Sequence, residues 1–263
     1  MIVFLCSMSH ALDRSISRLL TTLGLVLSAA SGSLAGQELI SSLEAEQAVT
    51  QPVVGAYVYS ELQAAIPFDQ LDWPSINSKI REQPGLLNKT WLSGVGTQSV
   101  GGFYCFDTVE NAQRFVTSYF PDEASARGVP QVTKIFDAAA TESASRTMNS
   151  VYYFGPNLSE PKAYVYTEVQ ISALPFDKNV PWQEISGRLR EQPGLLSKTW
   201  LSGLNTGTVG GLYAFDTIEN AQHFATQVFP AEPRSFNAAF TTKVFDASAT
   251  REASKALNSP YFR

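Results

Sequence analysis

Two neighbouring predicted strands carry residue types that could do chemistry together. Lys89 and Trp91 are separated by one residue, so strand alternation places them on one face, and Tyr104 lies on the next strand. A lysine beside two aromatic rings could hold an anionic aromatic molecule through charge and stacking. The same set returns 109 positions later as Lys198, Trp200 and Tyr213. The sequence therefore predicts two substrate-binding sites, and it identifies no catalytic residue.

A packing role is the alternative for the same side chains. Trp91 and Tyr104 would then belong to the core, and Lys89 would extend to a carboxylate at the edge of the sheet. The residue types favour this alternative, because aromatic side chains mostly pack. Strand alternation also predicts that Leu87 shares a face with Lys89, and that Leu196 does so in the second set.

The sequence carries no motif for a metal or an organic cofactor. His10 and His223 are its only histidines. It has no Cys/His cluster with metal-ligand spacing, no glycine-rich loop after a strand and no nucleophile elbow. We therefore predict neither a metal nor a cofactor. Oxygenation can proceed without one when a deprotonated, electron-rich phenol or enediol reduces oxygen itself in a dry pocket.

An internal repeat positions the two sets. The segment Arg81–Leu87 recurs as Arg190–Leu196, and Lys89–Gly94 recurs as Lys198–Gly203. The offset holds from Trp73 and Trp182 through to Asn149 and Asn258. Agreement over this length excludes coincidence. It predicts a first domain at 53–153, a linker at 154–160 and a second domain at 161–263.

Each copy predicts the same order of elements. The first copy predicts strands at Ala56–Leu62, Leu86–Leu92, Val100–Phe106 and Val129–Asp137. One helix begins near Pro74 and stops at Pro84-Gly85, and a second begins at Asp107 or Thr108 and ends before Pro121. The order βαββαβ is ferredoxin-like, with two helices covering one face of a four-stranded antiparallel sheet.

The other face of each sheet needs a cover of its own. Phe103 and Cys105 point one way along their strand, while Tyr104 and Phe106 point the other way. Both faces are therefore apolar, and the simplest cover for the open face is the sister copy. We expect an intramolecular pseudo-dimer with sheet facing sheet, and we expect Cys105 to be a small core residue.

Three segments of the first copy, with their equivalents in the second, resemble the YdhR-like mono-oxygenases of the dimeric α/β-barrel superfamily. They are Glu82–Trp91, Gly101–Phe106 and Lys134–Asp137. That family typically has one domain per chain and dimerises. The resemblance implies an α+β chain whose tandem ferredoxin-like domains form an intramolecular dimeric α/β-barrel. It also implies a cofactor-independent mono-oxygenase acting on a small aromatic or quinol-like compound. The alternative is an exported, non-catalytic or stress-related module that binds a small apolar ligand.

Charge and the N-terminal segment bear on partners and location. With 19 basic and 24 acidic residues, the chain has a formal charge of -5, which argues against nucleic acid as a partner.

The N-terminal segment has the pattern of an export signal. Arg14 and Arg18 precede the apolar run 19–30 and the small residues 33–35. This pattern predicts a signal peptide at 1–35 and a linker at 36–52. Met8 is an alternative start and Ala30 an alternative cleavage site. The apolar run is shorter than the roughly 20 residues that span a bilayer, so we expect a periplasmic or secreted protein without a membrane anchor.

Protein recovered outside the cytoplasm should begin near Gly36, because signal peptidase cuts after small residues such as Ala35. N-terminal sequencing of the recovered protein checks this expectation. Soluble cytoplasmic protein that retains Met1 or Met8 would contradict it.

Overall fold

The computed structural model describes residues 53–64, 66–172 and 175–263. The predicted signal peptide and the linker that follows it, residues 1–52, lie outside the described residues. Within the described part of the chain, no helix is long and apolar enough to cross a membrane.

The first repeat forms the predicted βαββαβ order. Its strands are β1 (Ala56–Gln63), β2 (Leu86–Ser93), β3 (Ser99–Phe106) and β4 (Gln131–Asp137). Its helices are a 3-10 turn (Phe68–Gln70), α1 (Trp73–Arg81), α2 (Val109–Arg114) and α3 (Phe120–Arg127), and a π-helical turn (Phe115–Tyr119) joins α2 to α3. After β4 come a 3-10 turn (Ala139–Thr141), α4 (Glu142–Thr147) and α5 (Val151–Phe154).

The second repeat has the same order. Its elements are β5 (Ala163–Gln170), α6 (Phe176–Asn179), α7 (Trp182–Arg190), β6 (Leu195–Ser202), β7 (Thr208–Phe215), α8 (Ile218–His223), a π-helical turn (Phe224–Val228), α9 (Ala231–Ser235), β8 (Phe240–Asp246) and α10 (Arg251–Lys255). The two antiparallel sheets have the strand orders β2-β3-β1-β4 and β6-β7-β5-β8. The predicted α+β, tandem ferredoxin-like fold class is confirmed, while the exact domain boundaries stay a prediction.

Local signals in the sequence set the helix ends. The Asp72 side chain accepts a hydrogen bond from the amide of Ser75 at the start of α1, and Thr108 does the same for Asn111 at the start of α2. Each bond satisfies an amide that has no partner within the helix. After α1 the chain turns at Gly85, whose φ of 72° suits glycine better than other residues.

The second helix does not end before Pro121, so that prediction is wrong. The chain passes through the π-helical turn and continues as α3, with Pro121 at its second position. A proline is tolerated there, because the first amides of a helical segment need no partner within it. In the second repeat, Pro230 lies immediately before α9.

One face of each sheet packs against the other sheet. At the centre, the rings of Tyr59 and Tyr166 stack with centroids 4.1 Å apart and planes within 9°. Phe103 and Cys105 belong to the same shared core, together with Leu212 of the second repeat. Cys105 is fully buried, as expected for a core residue. The sister repeat therefore supplies the cover that each open face requires.

The two sheets also meet along their edges. The end of β2 forms an antiparallel bridge from Gly94 to Phe245 of β8, and Phe136 of β4 bridges to Gly203 after β6. Near these bridges, Lys134 forms an ion pair with Glu168 at 3.2 Å. The two sheets thus close into one barrel with an aromatic interior.

Each repeat sends the segment that follows its last strand across to the other repeat. We call residues 139–154 the first exchanged arm and residues 248–263 the second. In the first arm, Thr141 donates a hydrogen bond to the Trp200 carbonyl and Ser145 Oγ accepts one from the Trp200 amide, both at 2.9 Å. The amide of Lys198 donates to the Met148 carbonyl at 3.0 Å.

The second arm makes the same contacts with β2. Thr250 donates to the carbonyl of Trp91 at 3.0 Å, and Ser254 Oγ accepts from its amide at 2.9 Å. The amide of Lys89 donates to the Leu257 carbonyl at 3.0 Å. Because β2 and β6 lie at sheet edges, the arms satisfy backbone groups that would otherwise be open.

Ser254→Ala should lower the free energy of unfolding by about 1–3 kcal/mol, because it leaves the buried amide of Trp91 without an acceptor. Denaturant unfolding measures the change. The control is Ser125→Ala on the exposed side of α3, which should stay within about 0.5 kcal/mol of the unmodified chain. Equal effects from the two substitutions would contradict the contribution assigned to the arm.

Candidate functional site

A β-bulge decides which face of β2 carries the lysine. The pairing of β2 with β3 shifts between Leu86 and Asn88, so Leu87 is an extra residue. Leu87 packs into the barrel interior, whereas Lys89 lines a cavity on the helix side of the sheet. The predicted common face for these two residues is therefore wrong, because the bulge interrupts the alternation. Leu196 is displaced by an equivalent bulge in β6.

The structure brings the predicted residues together in both repeats. Lys89 Nζ lies 2.9 Å from the centroid of the Trp91 ring and 4.8 Å from that of the Tyr104 ring. In the second repeat, Lys198 Nζ lies 2.8 Å from the Trp200 centroid and 4.8 Å from the Tyr213 centroid. In both repeats the amine nitrogen lies over the face of the tryptophan ring. Their role in binding a substrate stays a prediction.

Both lysines are buried and lack a carboxylate partner within the described part of the chain. Lys89 and Lys198 are each 1% exposed, and neither forms an ion pair there. The packing alternative is confirmed for Trp91 and Tyr104, which are buried in the core. Its expectation that Lys89 extends to a carboxylate at the sheet edge is wrong. Burial lowers the pKa of both amines well below the ordinary value, since the charged form loses its hydration. A neutral amine in such a place can accept a proton from a ligand.

Hydrogen bonds at the ring edge hold each tryptophan. Trp91 Nε1 donates to Asn77 Oδ1 at 2.8 Å, and Asn77 Nδ2 donates to the carbonyl of Ala253 in the second arm at 3.0 Å. In the second repeat, Trp200 Nε1 donates to Ser186 Oγ at 3.3 Å. The edge of each ring is thereby fixed while its face remains against the lysine.

The tyrosines stay protonated at neutral pH. Burial raises the pKa of Tyr104 and of Tyr213 well above the usual value for a phenol. The Tyr104 hydroxyl oxygen also accepts a hydrogen bond from Ser60 at 3.4 Å. These side chains can therefore donate a hydrogen bond or pack, but they do not supply an anion.

A cavity lies beside each lysine, between the sheet and the helices. The cavity in the second repeat has a volume of about 760 Å³, and the cavity in the first repeat has about 250 Å³. The larger cavity has mainly apolar walls, including Val169, Ile185, Leu189, Val209, Val228 and Phe229. Only the larger of the two lies within the range of roughly 300–1,000 Å³ typical of small-molecule sites.

Sequence reasoning missed the helix-side walls of these cavities. Tyr119 and Arg127 line the first cavity, and Val228 and Phe236 take the equivalent places in the second. Arg127 was obscured because the helix was expected to stop before Pro121, whereas Tyr119 lies on the predicted helix. Comparison of the two copies could have found these positions, because the residue type at each place differs between them.

Comparison with known families agrees with this architecture. Residues 69–149 match the family model described as "Putative mono-oxygenase ydhR". The match covers most of the first repeat. This confirms the resemblance predicted from the motifs, which the second repeat carries at the same spacing.

Several solved structures are similar to the chain. An anthrone oxidase-like protein has 12% identity and a TM-score of 0.48, covering 75% of this chain and 93% of its own. A "putative monooxygenase" from Lactobacillus acidophilus has 10% identity and a TM-score of 0.44, covering 73% and 93%. A ferredoxin-fold protein from Listeria monocytogenes, related to antibiotic biosynthesis monooxygenases, has 10% identity and a TM-score of 0.40, covering 74% and 96%. Among curated proteins, none matches the chain.

Lys198→Met should stabilise the folded chain at neutral pH, and the gain should shrink as the pH rises towards 10. The unfolded chain keeps the lysine proton up to about pH 10.5, whereas the folded chain releases it at lower pH. Between these two pKa values the unfolded state binds more protons, so the stability of the unmodified chain rises by up to about 1.4 kcal/mol per pH unit. Methionine has a similar volume and no titratable group, so the variant lacks this dependence of stability on pH.

Urea unfolding at pH 8, 9 and 10 measures the difference between the two proteins. Lys178→Met is the matched control, because Lys178 is exposed and its removal should leave the pH profile unchanged. Parallel stability profiles for Lys198→Met and the unmodified chain would show that the buried amine titrates normally.

Proposed function

We propose that the chain is a cofactor-independent mono-oxygenase that acts on a small aromatic or quinol-like compound beside Lys198. The match of residues 69–149 to the ydhR family model supports mono-oxygenase-like chemistry. The observation that carries the finer proposal is the buried amine of Lys198 in the wall of an apolar cavity of about 760 Å³, where no described carboxylate forms an ion pair with it. The predicted export signal would place this activity outside the cytoplasm.

The buried amine favours a ligand that can donate a proton to it. A phenol or enol can enter the cavity uncharged and then transfer a proton to Lys198, so no net charge has to be moved into an apolar site. The resulting anion and ammonium attract each other strongly because water is scarce around them. This pairing favours the electron-rich anion that reacts with oxygen.

The reaction balances without an added reductant when the reacting carbon carries two hydrogens. The substrate anion gives one electron to molecular oxygen, and the substrate radical and superoxide combine to form a carbon–oxygen bond. The protonated peroxide then loses water, which leaves a carbonyl group. One oxygen atom remains in the product, the other leaves as water with the two hydrogens, and the carbon supplies all four electrons. Lys198 accepts the first proton and returns it as water forms.

Purified protein should consume oxygen with members of a panel of hydroquinones and anthrones. Lys198→Met should lower kcat/KM by about 10²- to 10⁴-fold, as expected when a general base is removed. An oxygen electrode records the uptake, and product analysis should show one added oxygen atom. Lys178→Met should retain full activity, because that lysine is exposed and does not line the cavity.

Two results would reject the enzyme. Tight binding of the panel compounds with no oxygen uptake would identify a non-catalytic binding module. Uptake that survives Lys198→Met unchanged would remove the lysine from the chemistry.

A further inference from the structure

We infer that the second repeat holds the main ligand site, and that Tyr119 narrows the equivalent site of the first repeat. The inference rests on the proposed function in one respect, namely that the cavity beside the lysine is where the ligand binds. It names the residue that separates two otherwise matching cavities.

Tyr119 and Val228 occupy equivalent places at the end of the two π-helical turns. The Tyr119 ring stacks on Phe115 with centroids 5.3 Å apart and planes 28° apart. In the second repeat, Phe224 has the shorter Val228 at that place, and both residues line the cavity. π-helical turns recur at functional sites, where they change the direction of side chains. Here the turn directs position 119 or 228 into the cavity wall.

The smaller cavity is the one that has the larger side chain at this place. The cavity with Tyr119 measures about 250 Å³, and the cavity with Val228 measures about 760 Å³. Sites for small molecules usually enclose roughly 300–1,000 Å³. The first cavity falls below this range, although its lysine, tryptophan and tyrosine are placed as in the second.

A charged side chain also differs between the two cavity walls. Arg127 lines the first cavity, and its positive charge further lowers the pKa of Lys89. In the second cavity Phe236 replaces this arginine. Both walls carry a glutamate at the equivalent place, Glu123 in the first cavity and Glu232 in the second.

The chain offers a matched pair of exchanges, Tyr119→Val and Val228→Tyr. We choose 2-naphthol as the probe, since it is a two-ring phenol, and calorimetric titration of the full chain as the measurement. The unmodified chain should bind one molecule. Val228→Tyr should weaken that binding at least tenfold, and Tyr119→Val should bind a second molecule. Two equivalent sites in the unmodified chain, or unchanged binding in Val228→Tyr, would overturn the inference.

Thermal melts test the asymmetry without a ligand. Val228→Tyr should leave the Tm nearly unchanged, because the ring enters open space. Tyr119→Val should lower the Tm by several degrees, because it removes the ring stacked on Phe115. A large fall in Tm for Val228→Tyr would show that the second cavity is closed and would overturn the inference. If the melts agree with expectation but no 2-naphthol binds, the asymmetry stands and the proposed ligand class alone is rejected.

Discussion

Open backbone groups along an edge strand must be paired or covered, and this requirement links the two repeats. β2 and β6 are edge strands of their sheets, and each is covered by the arm that follows the last strand of the other repeat. The contacts fall on the amides of the lysine and tryptophan that line the cavities. Neither repeat therefore completes its own candidate site. The fusion of the copies in one chain keeps the two arms at a high effective concentration.

The bulges give the two faces of each sheet different roles. By directing Leu87 and Leu196 into the barrel and Lys89 and Lys198 towards the helices, they assign one face of each sheet to assembly and the other to the cavity. The assembly face is a continuous aromatic core that tolerates little change in volume. The helix face can vary with less consequence for the barrel. Tyr119 in one repeat and Val228 in the other show such a variation.

The sequence predicted the features that depend on periodicity and repetition. Strand alternation, helix caps and the matched motifs led to the ferredoxin-like order, the packing of sheet on sheet and the grouping of Lys89 with Trp91 and Tyr104. The bulge was missed because the pair Leu86-Leu87 fits a regular strand as well as an irregular one.

The exchanged arms and the π-helical turns were missed for different reasons. An arm has no periodic face of its own, since its partner is the edge of a distant strand. The matched small polar residues Ser145 and Ser254 were its signal, because they accept hydrogen bonds from that edge. A proline is an ordinary sign of a helix end, and only the local geometry shows that Pro121 begins a new segment instead.

Amide hydrogen exchange tests most directly whether one repeat fixes the site of the other. Ser145→Ala removes the acceptor in the first repeat for the Trp200 amide in the second, while the Trp91 amide keeps Ser254 as its acceptor. We expect protection of the Trp200 amide to fall by about tenfold or more beyond any change at Trp91, as loss of a buried hydrogen bond requires. An equal change at both amides, or none at Trp200, would contradict this expectation.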